Sequence, residues 1–283
     1  MTNLLATDLC AVCGAAGSEA TLGGLLRRCR SCAFQWTATG LAPPDQLYDE
    51  SYYESESYKR YFAMAAQWRF EAARRLDWVF AHTRPASLIE AGSAGGFFLE
   101  AARRRGVAVE GVEISEVASR YARDQLGLPV RCGDFERTVP AAPVDAVCAF
   151  HVLEHVTDPR EFLRAARGML APGGTLVLEV PNIASAAARR QGPGWVDLSL
   201  RYHYWHFDPA SLARLVTGSG FRIVDADTVF AAHYLRPSQS LRRWGLASRW
   251  GAVRAGRSVR TTHPGLGDYL RVLARRDDSG GTP

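Results

Sequence analysis

Apolar positions along this chain change period, and the changes mark the elements. Phe70, Ala73, Leu76, Val79 and Phe80 recur at helical spacing within Phe62–His82, a run that ends before Pro85; that spacing predicts an amphipathic helix. From there, short apolar runs alternate with longer amphipathic ones. Leu88–Glu90, Val107–Glu113, Pro129–Cys132, Ala146–Phe150, Thr175–Val180, Phe221–Val229 and Tyr269–Ala274 read as strands. Phe97–Arg105, Glu116–Leu126, Pro159–Leu170 and Ala210–Thr217 read as helices. Asp158-Pro159 and Asp208-Pro209 open two of these with a capping acid and a first-turn proline, and Gly173-Gly174, Gly218 and Gly220 close them. Strands and helices in alternation predict an α/β, doubly wound domain.

A different pattern precedes it. Cys10-x-x-Cys13 and Cys29-x-x-Cys32 stand fifteen residues apart, with Leu25-Leu26-Arg27-Arg28 as a strand between them. Two such knuckles can grip one tetrahedral Zn²⁺ through four thiolates, and Gly14 permits the tight turn after the first pair. Reducing compartments disfavour disulfides at such positions. The spacing predicts a structural zinc site in a small ribbon over residues 1–40. Residues 41–84 then form a linker, marked by Ala42-Pro43-Pro44-Asp45, and an N-terminal helical cap; residues 85–283 form the α/β domain. Cys132 and Cys148 lie in apolar strand contexts and read as buried packing residues.

The candidate chemistry begins at Ser87-Leu88-Ile89-Glu90-Ala91-Gly92-Ser93-Ala94-Gly95-Gly96, a strand running into a glycine-rich turn and then a helix. Glu113 closes the next strand, about 20 residues past the glycines, the plan of a nucleoside site. A dinucleotide fingerprint fails here, because position 94 is Ala and position 97 is Phe. Glu90 also puts a negative charge where a pyrophosphate would sit, which suits a cationic ligand. S-adenosylmethionine, a sulfonium with an adenosine and no phosphate, fits; the alternative is an ordinary βαβ crossover.

With Gly111-Val112-Glu113-Ile114-Ser115, Gly133-Asp134-Phe135, His151-Val152-Leu153-Glu154-His155-Val156-Thr157-Asp158-Pro159, Leu170-Ala171-Pro172-Gly173-Gly174 and Val180-Pro181-Asn182 following in order, the chain resembles the class I S-adenosylmethionine-dependent methyltransferases of the zinc-ribbon-bearing bacterial type, over most of residues 10 to 230. The resemblance implies a Rossmann-like seven-stranded sheet with its last strand antiparallel. It implies that Glu113 accepts both ribose hydroxyls and that Asp134 meets the adenine amino group. Gly92 and Gly96 let the backbone approach the cofactor, and Glu90 offsets the methionine ammonium. Ala94 departs from the family's usual glycine. His151 and His155 belong to a stretch shared among look-alikes with different substrates. Both are read as architecture of the cofactor loop, and His151 is counted with the cofactor residues.

Trp195 to Asp208 is unusually aromatic and sits after the fifth strand, where such enzymes place acceptor recognition. The family's histidine falls on His203, which is expected to be the general base; the glutamate that precedes it in related sugar methyltransferases is Tyr202 here. Tyr52, Tyr53, Asn182, Trp195, Tyr202 and His206 are expected around the acceptor. Leu235 to Pro264 is an insertion with seven arginines between tryptophans and leucines. It could cap the site, bind a phosphorylated or nucleotide-linked substrate, or touch an anionic membrane as a peripheral contact; a lid or docking role is favoured.

Composition changes this picture little. Hydrophobic residues make up 47% and charged residues 22% of 283, with a net charge of +5. Lys59 is the sole lysine, so the positive charge reflects an arginine bias spread over the protein, and a nucleic-acid partner is disfavoured. No apolar run is long enough for a transmembrane segment and no signal peptide is visible, which points to a cytoplasmic protein. The expected reaction is methyl transfer to oxygen or carbon of a small-molecule acceptor, a sugar or glycan precursor or another secondary metabolite. RNA or protein methylation is one rival. A cofactor-binding module without catalysis is another. Fold alone does not choose the acceptor, and oligomeric state is not legible.

Overall fold

The structure is a computed structural model that describes residues 9–38, 61–230 and 267–279. Tyr52, Tyr53, the 42–45 linker and the basic 235–264 insertion lie outside the described residues.

Three short strands, β1 (Ser18–Thr21), β2 (Leu26–Cys29) and β3 (Gln35–Thr37), form the N-terminal ribbon. Helix α1 (Ala65–His82) follows, then the alternating series begins: β4 (Ser87–Ala91), α2 (Phe97–Arg103), β5 (Ala108–Glu113), α3 (Glu116–Leu126), β6 (Val130–Cys132) and β7 (Val144–Phe150). It continues with α4 (Pro159–Met169), β8 (Leu170–Pro181), α5 (Ala186–Gln191), β9 (Trp205–His206), α6 (Pro209–Gly218), β10 (Phe221–Val229) and β11 (Tyr269–Arg276). The seven strands of the main sheet run in the order β10-β11-β8-β7-β4-β5-β6. β4 pairs in parallel with both β5 and β7, while β11 inserts antiparallel between β8 and β10, as the resemblance implied.

Local chemistry sets the boundaries. Asp158 caps α4 by accepting from Arg160 N and Glu161 N at 2.9 and 3.1 Å, with Pro159 in the first turn. Asp208 and Ser211 form a reciprocal capping box on α6. One boundary differs from expectation. Leu170-Ala171-Pro172-Gly173-Gly174 reads as a turn, yet β8 starts at Leu170, opposite Val144 of β7. Cys148 is buried as expected, but Cys132 is exposed, because β6 is an edge strand and its last residue lies at the rim.

The ribbon is not a separate bead. Its sheet is completed by β9, in the order β1-β2-β3-β9, with Gln35 opposite His206 and Trp36 opposite Trp205. Cys10, Ala11, Val12 and Phe34 share one buried cluster with Leu153, Phe207 and Leu212 of the α/β domain. None of the helices among the described residues is long and apolar enough to cross a membrane.

Candidate functional site

A cavity of about 980 Å³ opens at the carboxyl ends of β4, β5, β7 and β8. Its first half is built by the turn after β4. Gly92 holds φ +63, and a Cβ there would fall 2.4 Å from Val152 Cγ2, so only glycine fits. Gly92, Ser93 and Ala94 line the cavity. Gly96 does not: it caps α2, and a Cβ on it would meet Leu128 Cδ1 at 2.6 Å, so helix packing also requires glycine there. Ala94 adopts φ +45, the left-handed region that glycine tolerates better.

Two acids face this turn. Glu113 accepts from Ala94 N at 2.7 Å and Ser115 N at 2.9 Å, which ties the strand end to the turn. Glu90 is 5% exposed and its Oε2 accepts no hydrogen bond among the described residues. Burial pushes its carboxyl well above the usual carboxylate range, against the pull of Arg75 and with a further push from Glu113. A buried acid in that state can give up its proton when a cation is placed beside it. Ser93 Oγ, also buried and without a partner among the described residues, lies in the turn that follows β4 and lines the same cavity. Asp134 sits at the rim as the cap of a short 3-10 turn, and Glu136 beside it is raised to about 8 by burial and by Asp134. Tyr61 covers the turn from above; its hydroxyl accepts from Gly95 N at 3.4 Å and its ring stacks on Trp68.

The second half is charged. β11 and β8 place Arg271 directly opposite Glu179, and the two side chains form a buried ion pair. Arg75 of α1 adds Nε at 3.0 Å to the same carboxylate. Burial works against the Glu179 charge, but Arg271 and Arg75, with His151, hold its carboxyl well below the usual range. His151 has φ +58 and lies between two acids, with Nε2 3.2 Å from Glu179 and Nδ1 3.4 Å from Glu154. Burial alone would lower its pKa; the two carboxylates outweigh that and raise it to about 9. The two carboxylates thus favour the imidazolium form of His151.

The expected acceptor residues stand elsewhere. His155 and Asp197 line the cavity, but His203 is not among the lining residues. The His203 ring packs edge-on behind His155, centroids 4.6 Å apart, with Nδ1 2.9 Å from the Asp197 carbonyl. Burial keeps both rings below the ordinary imidazole value. Asn182 is fully buried and bonds Gly267 O and Ala184 N. Trp195 packs with Leu26, Ala188 and Leu198. Tyr202 is absent from the lining, and its carbonyl takes His155 Nδ1 at 3.0 Å. His206 Nε2 meets Thr37 Oγ1 of the ribbon at 3.0 Å. The aromatic loop is thus the seam between ribbon and domain, while sequence reasoning missed Tyr61, Arg75, Glu154, Glu179 and Arg271. A charge at an inward strand position, as in Leu178-Glu179-Val180 and Leu270-Arg271-Val272, was the available signal.

In the ribbon, Cys10 Sγ lies 3.5 Å from Cys32 Sγ and Cys13 Sγ 3.6 Å from Cys29 Sγ. A tetrahedral ion with Zn–S bonds of about 2.3 Å sets its sulfurs roughly 3.8 Å apart. All four sulfurs lie within 4.8 Å of one another, so the set fits that ion, and no pair is a disulfide.

The methyltransferase domain family matches residues 56–226, more than half of the chain. The ubiquinone biosynthesis O-methyltransferase of Xanthomonas axonopodis pv. citri is 30% identical over 166 residues, 53% of this chain and 70% of that protein. The enzyme of that name from Caulobacter sp. strain K31 is 36% identical over 102 residues, 34% of this chain; the match spans only 40% of that relative's length. Among solved structures, an S-adenosylmethionine-dependent methyltransferase of Thermotoga maritima aligns with a TM-score of 0.57 at 20% identity, over 78% of this chain and 95% of that one, a likeness of fold. The matched segment contains the glycine turn, the strand-end acids and the histidine stretch, and the chain belongs to the class I S-adenosylmethionine-dependent methyltransferases.

Proposed function

We propose that this enzyme moves the methyl group of S-adenosylmethionine to a hydroxyl of a small-molecule acceptor, of the sugar, glycan-precursor or secondary-metabolite class. One observation carries the reading: a continuous cavity joins the glycine turn to His155 and Asp197. Its volume is at the upper end of the roughly 300–1,000 Å³ of small-molecule sites, room for the cofactor and one further small ligand. The relatives' names specify O-methylation, which supports an oxygen acceptor. A phosphorylated or nucleotide-linked acceptor would draw on the 235–264 arginines, outside the described residues.

The roles follow from position. Glu113 is the ribose acceptor, Asp134 the adenine-end acid and Glu90 the partner of the methionine ammonium. The acceptor oxygen forms the new C–O bond, the electron pair of the C–S bond stays on sulfur, and the sulfonium becomes a neutral thioether. The hydroxyl proton leaves at the His155 end of the cavity, with Glu154 and His203 behind that ring. Alignment of oxygen, methyl carbon and sulfur supplies most of the rate. The test is incubation of the cofactor with hydroxylated small molecules, RNA and whole protein extract in parallel, reading S-adenosylhomocysteine. Release with a hydroxylated small molecule is expected. Methylation of RNA or protein alone, or cofactor binding without turnover on any acceptor, overturns the reading. Cys10, Cys13, Cys29 and Cys32 are proposed to hold one structural Zn²⁺.

Cofactor binding is expected to release a proton. Without ligand the Glu90 carboxyl is protonated at pH values where an ordinary carboxylate is not. The incoming ammonium lowers its pKa, so affinity rises with pH until the unliganded group itself ionises. Calorimetry in buffers of different ionisation enthalpy measures the release. Glu90→Gln should abolish it, and Glu113→Ala should keep it while weakening binding by about 1–3 kcal/mol. A pH-independent affinity in the wild-type protein would remove Glu90 from the ammonium site.

A further inference from the structure

Glu154 is 1% exposed, and neither of its carboxylate oxygens accepts a hydrogen bond among the described residues. A buried carboxylate in that condition is costly unless a cation meets it. His151 Nδ1, 3.4 Å away, pairs with this carboxylate as an ion pair outside hydrogen-bond geometry, and its other nitrogen serves Glu179, so both Glu154 oxygens still lack a hydrogen bond. Two more imidazoles approach the same carboxylate. His155 Nε2 is 3.9 Å from Glu154 Oε1. One donor atom from each of Glu154, His155 and His203 falls within 4.8 Å of the other two.

The orientation of both rings is fixed. His155 Nδ1 lies 3.0 Å from the Tyr202 carbonyl and His203 Nδ1 2.9 Å from the Asp197 carbonyl. A carbonyl only accepts, so each Nδ1 carries the hydrogen and each neutral ring keeps its lone pair on Nε2. Imidazoles that bind metals are held in this way, with the far nitrogen donating to a carbonyl or carboxylate. The backbone behind His203 is pinned as well, since Thr37 Oγ1 donates to the His203 carbonyl at 2.6 Å. An ion with bonds of about 2.0–2.2 Å sets tetrahedral donors roughly 3.4 Å apart. Drawing donors that already lie within 4.8 Å of one another to that spacing takes side-chain rotation on the order of 1 Å.

We propose that Glu154, His155 and His203 form a metal site, separate from the four cysteines, for a borderline divalent transition ion such as Zn²⁺, Co²⁺ or Ni²⁺. Two nitrogens and one carboxylate oxygen match those ions, whereas Mg²⁺ and Ca²⁺ demand oxygen. Three protein donors leave a position open, and His155 places it at the acceptor end of the cavity. An ion there would hold the acceptor oxygen and lower its pKa, the proton passing to water. That role rests on the reading of the cavity as an O-methyltransferase site; the binding of the ion does not.

Cobalt tests it without cofactor or acceptor. Wild-type protein with zinc retained in its ribbon is passed over a chelating resin and titrated with Co²⁺. One further equivalent should bind, with visible d–d absorption and without the near-ultraviolet thiolate-to-cobalt band of a cysteine site. Glu154→Gln and His203→Ala should each lose the visible band while keeping ribbon zinc by elemental analysis and a wild-type circular dichroism spectrum. A wild-type protein that takes up no cobalt beyond its cysteines overturns the proposal, and so does a visible band that survives both substitutions. Because the readout is binding, its failure leaves the methyl-transfer reading standing, and a failed turnover assay leaves the metal site standing.

Discussion

Replacing His155 with alanine is expected to lower turnover by about 10²–10⁴-fold, the scale of a lost proton-transfer group, with cofactor affinity near normal. His155 is the imidazole of the acceptor end that lines the cavity, while His203 lies behind it. Family resemblance alone would assign the direct role to His203 and use His155 as the control. We propose the reverse, because His155 lines the cavity and His203 does not. On this reading His203 would act through the cluster it shares with Glu154 and His155, so His203→Ala should also lose turnover. Its loss should be the smaller one if the ring only buttresses its neighbour, and equal if all three side chains grip one ion. His151→Ala behaves differently. It leaves Glu179 and Glu154 without their shared imidazolium, so the expected defect is in folding and cofactor binding rather than in the chemical step. Separate measurement of kcat with saturating cofactor and of cofactor Kd resolves these cases. An active His155→Ala enzyme beside a dead His203→Ala enzyme would restore the original assignment.

The cofactor half of the site was legible because its signals are local. A strand, a turn that only glycine can make at Gly92, and acids at two strand ends all sit within one stretch of chain, and each acid faces the turn because strand register puts it there. The charged half was not, because its contacts are tertiary. Glu179 meets Arg271 across a strand pair whose members are 92 residues apart in sequence, and Arg75 reaches them from a helix that precedes the sheet. The aromatic loop misled for a related reason. Tyr204, Trp205 and Phe207 look like pocket walls, but Phe34 stacks on Trp205 at 5.9 Å and lies 5.3 Å from Phe207, which makes them core. β9 has only two residues, too few to carry any period, so nothing in the pattern announced that the ribbon sheet would extend into the domain.

That extension sets the expected result of removing zinc. Read from sequence, the ribbon is a module that could melt while the α/β domain works on. In the structure, Thr37 N donates to the Tyr204 carbonyl at 2.9 Å, and the Thr37 hydroxyl holds both the His203 carbonyl and the His206 ring. Arg160 of α4 returns the contact, Nε to the Ala11 carbonyl at 2.6 Å, beside the first cysteine pair. Structural zinc supplies folding free energy on the order of 10–16 kcal/mol to small sites of this kind, far more than three ribbon strands could replace. Cys29→Ser, or treatment with a strong chelator, should therefore unfold the ribbon and release the loop that carries His203. A misplacement of about 1 Å in a positioning element can cost on the order of 10²-fold in rate, so acceptor turnover should fall by about that much and the acceptor KM should rise. Cofactor affinity should hold, because β4, β5 and β7 make no strand pairing with the ribbon sheet. Thr37→Val separates the hinge from the metal: zinc stays bound, the two hydroxyl contacts vanish, and a loss of about 0.5–1.5 kcal/mol per hydrogen bond should appear as a milder rise in acceptor KM. Elemental analysis, cofactor calorimetry and acceptor kinetics on the same preparations decide the matter. A zinc-free protein that keeps both its KM and its turnover would show that the ribbon and the acceptor loop are independent.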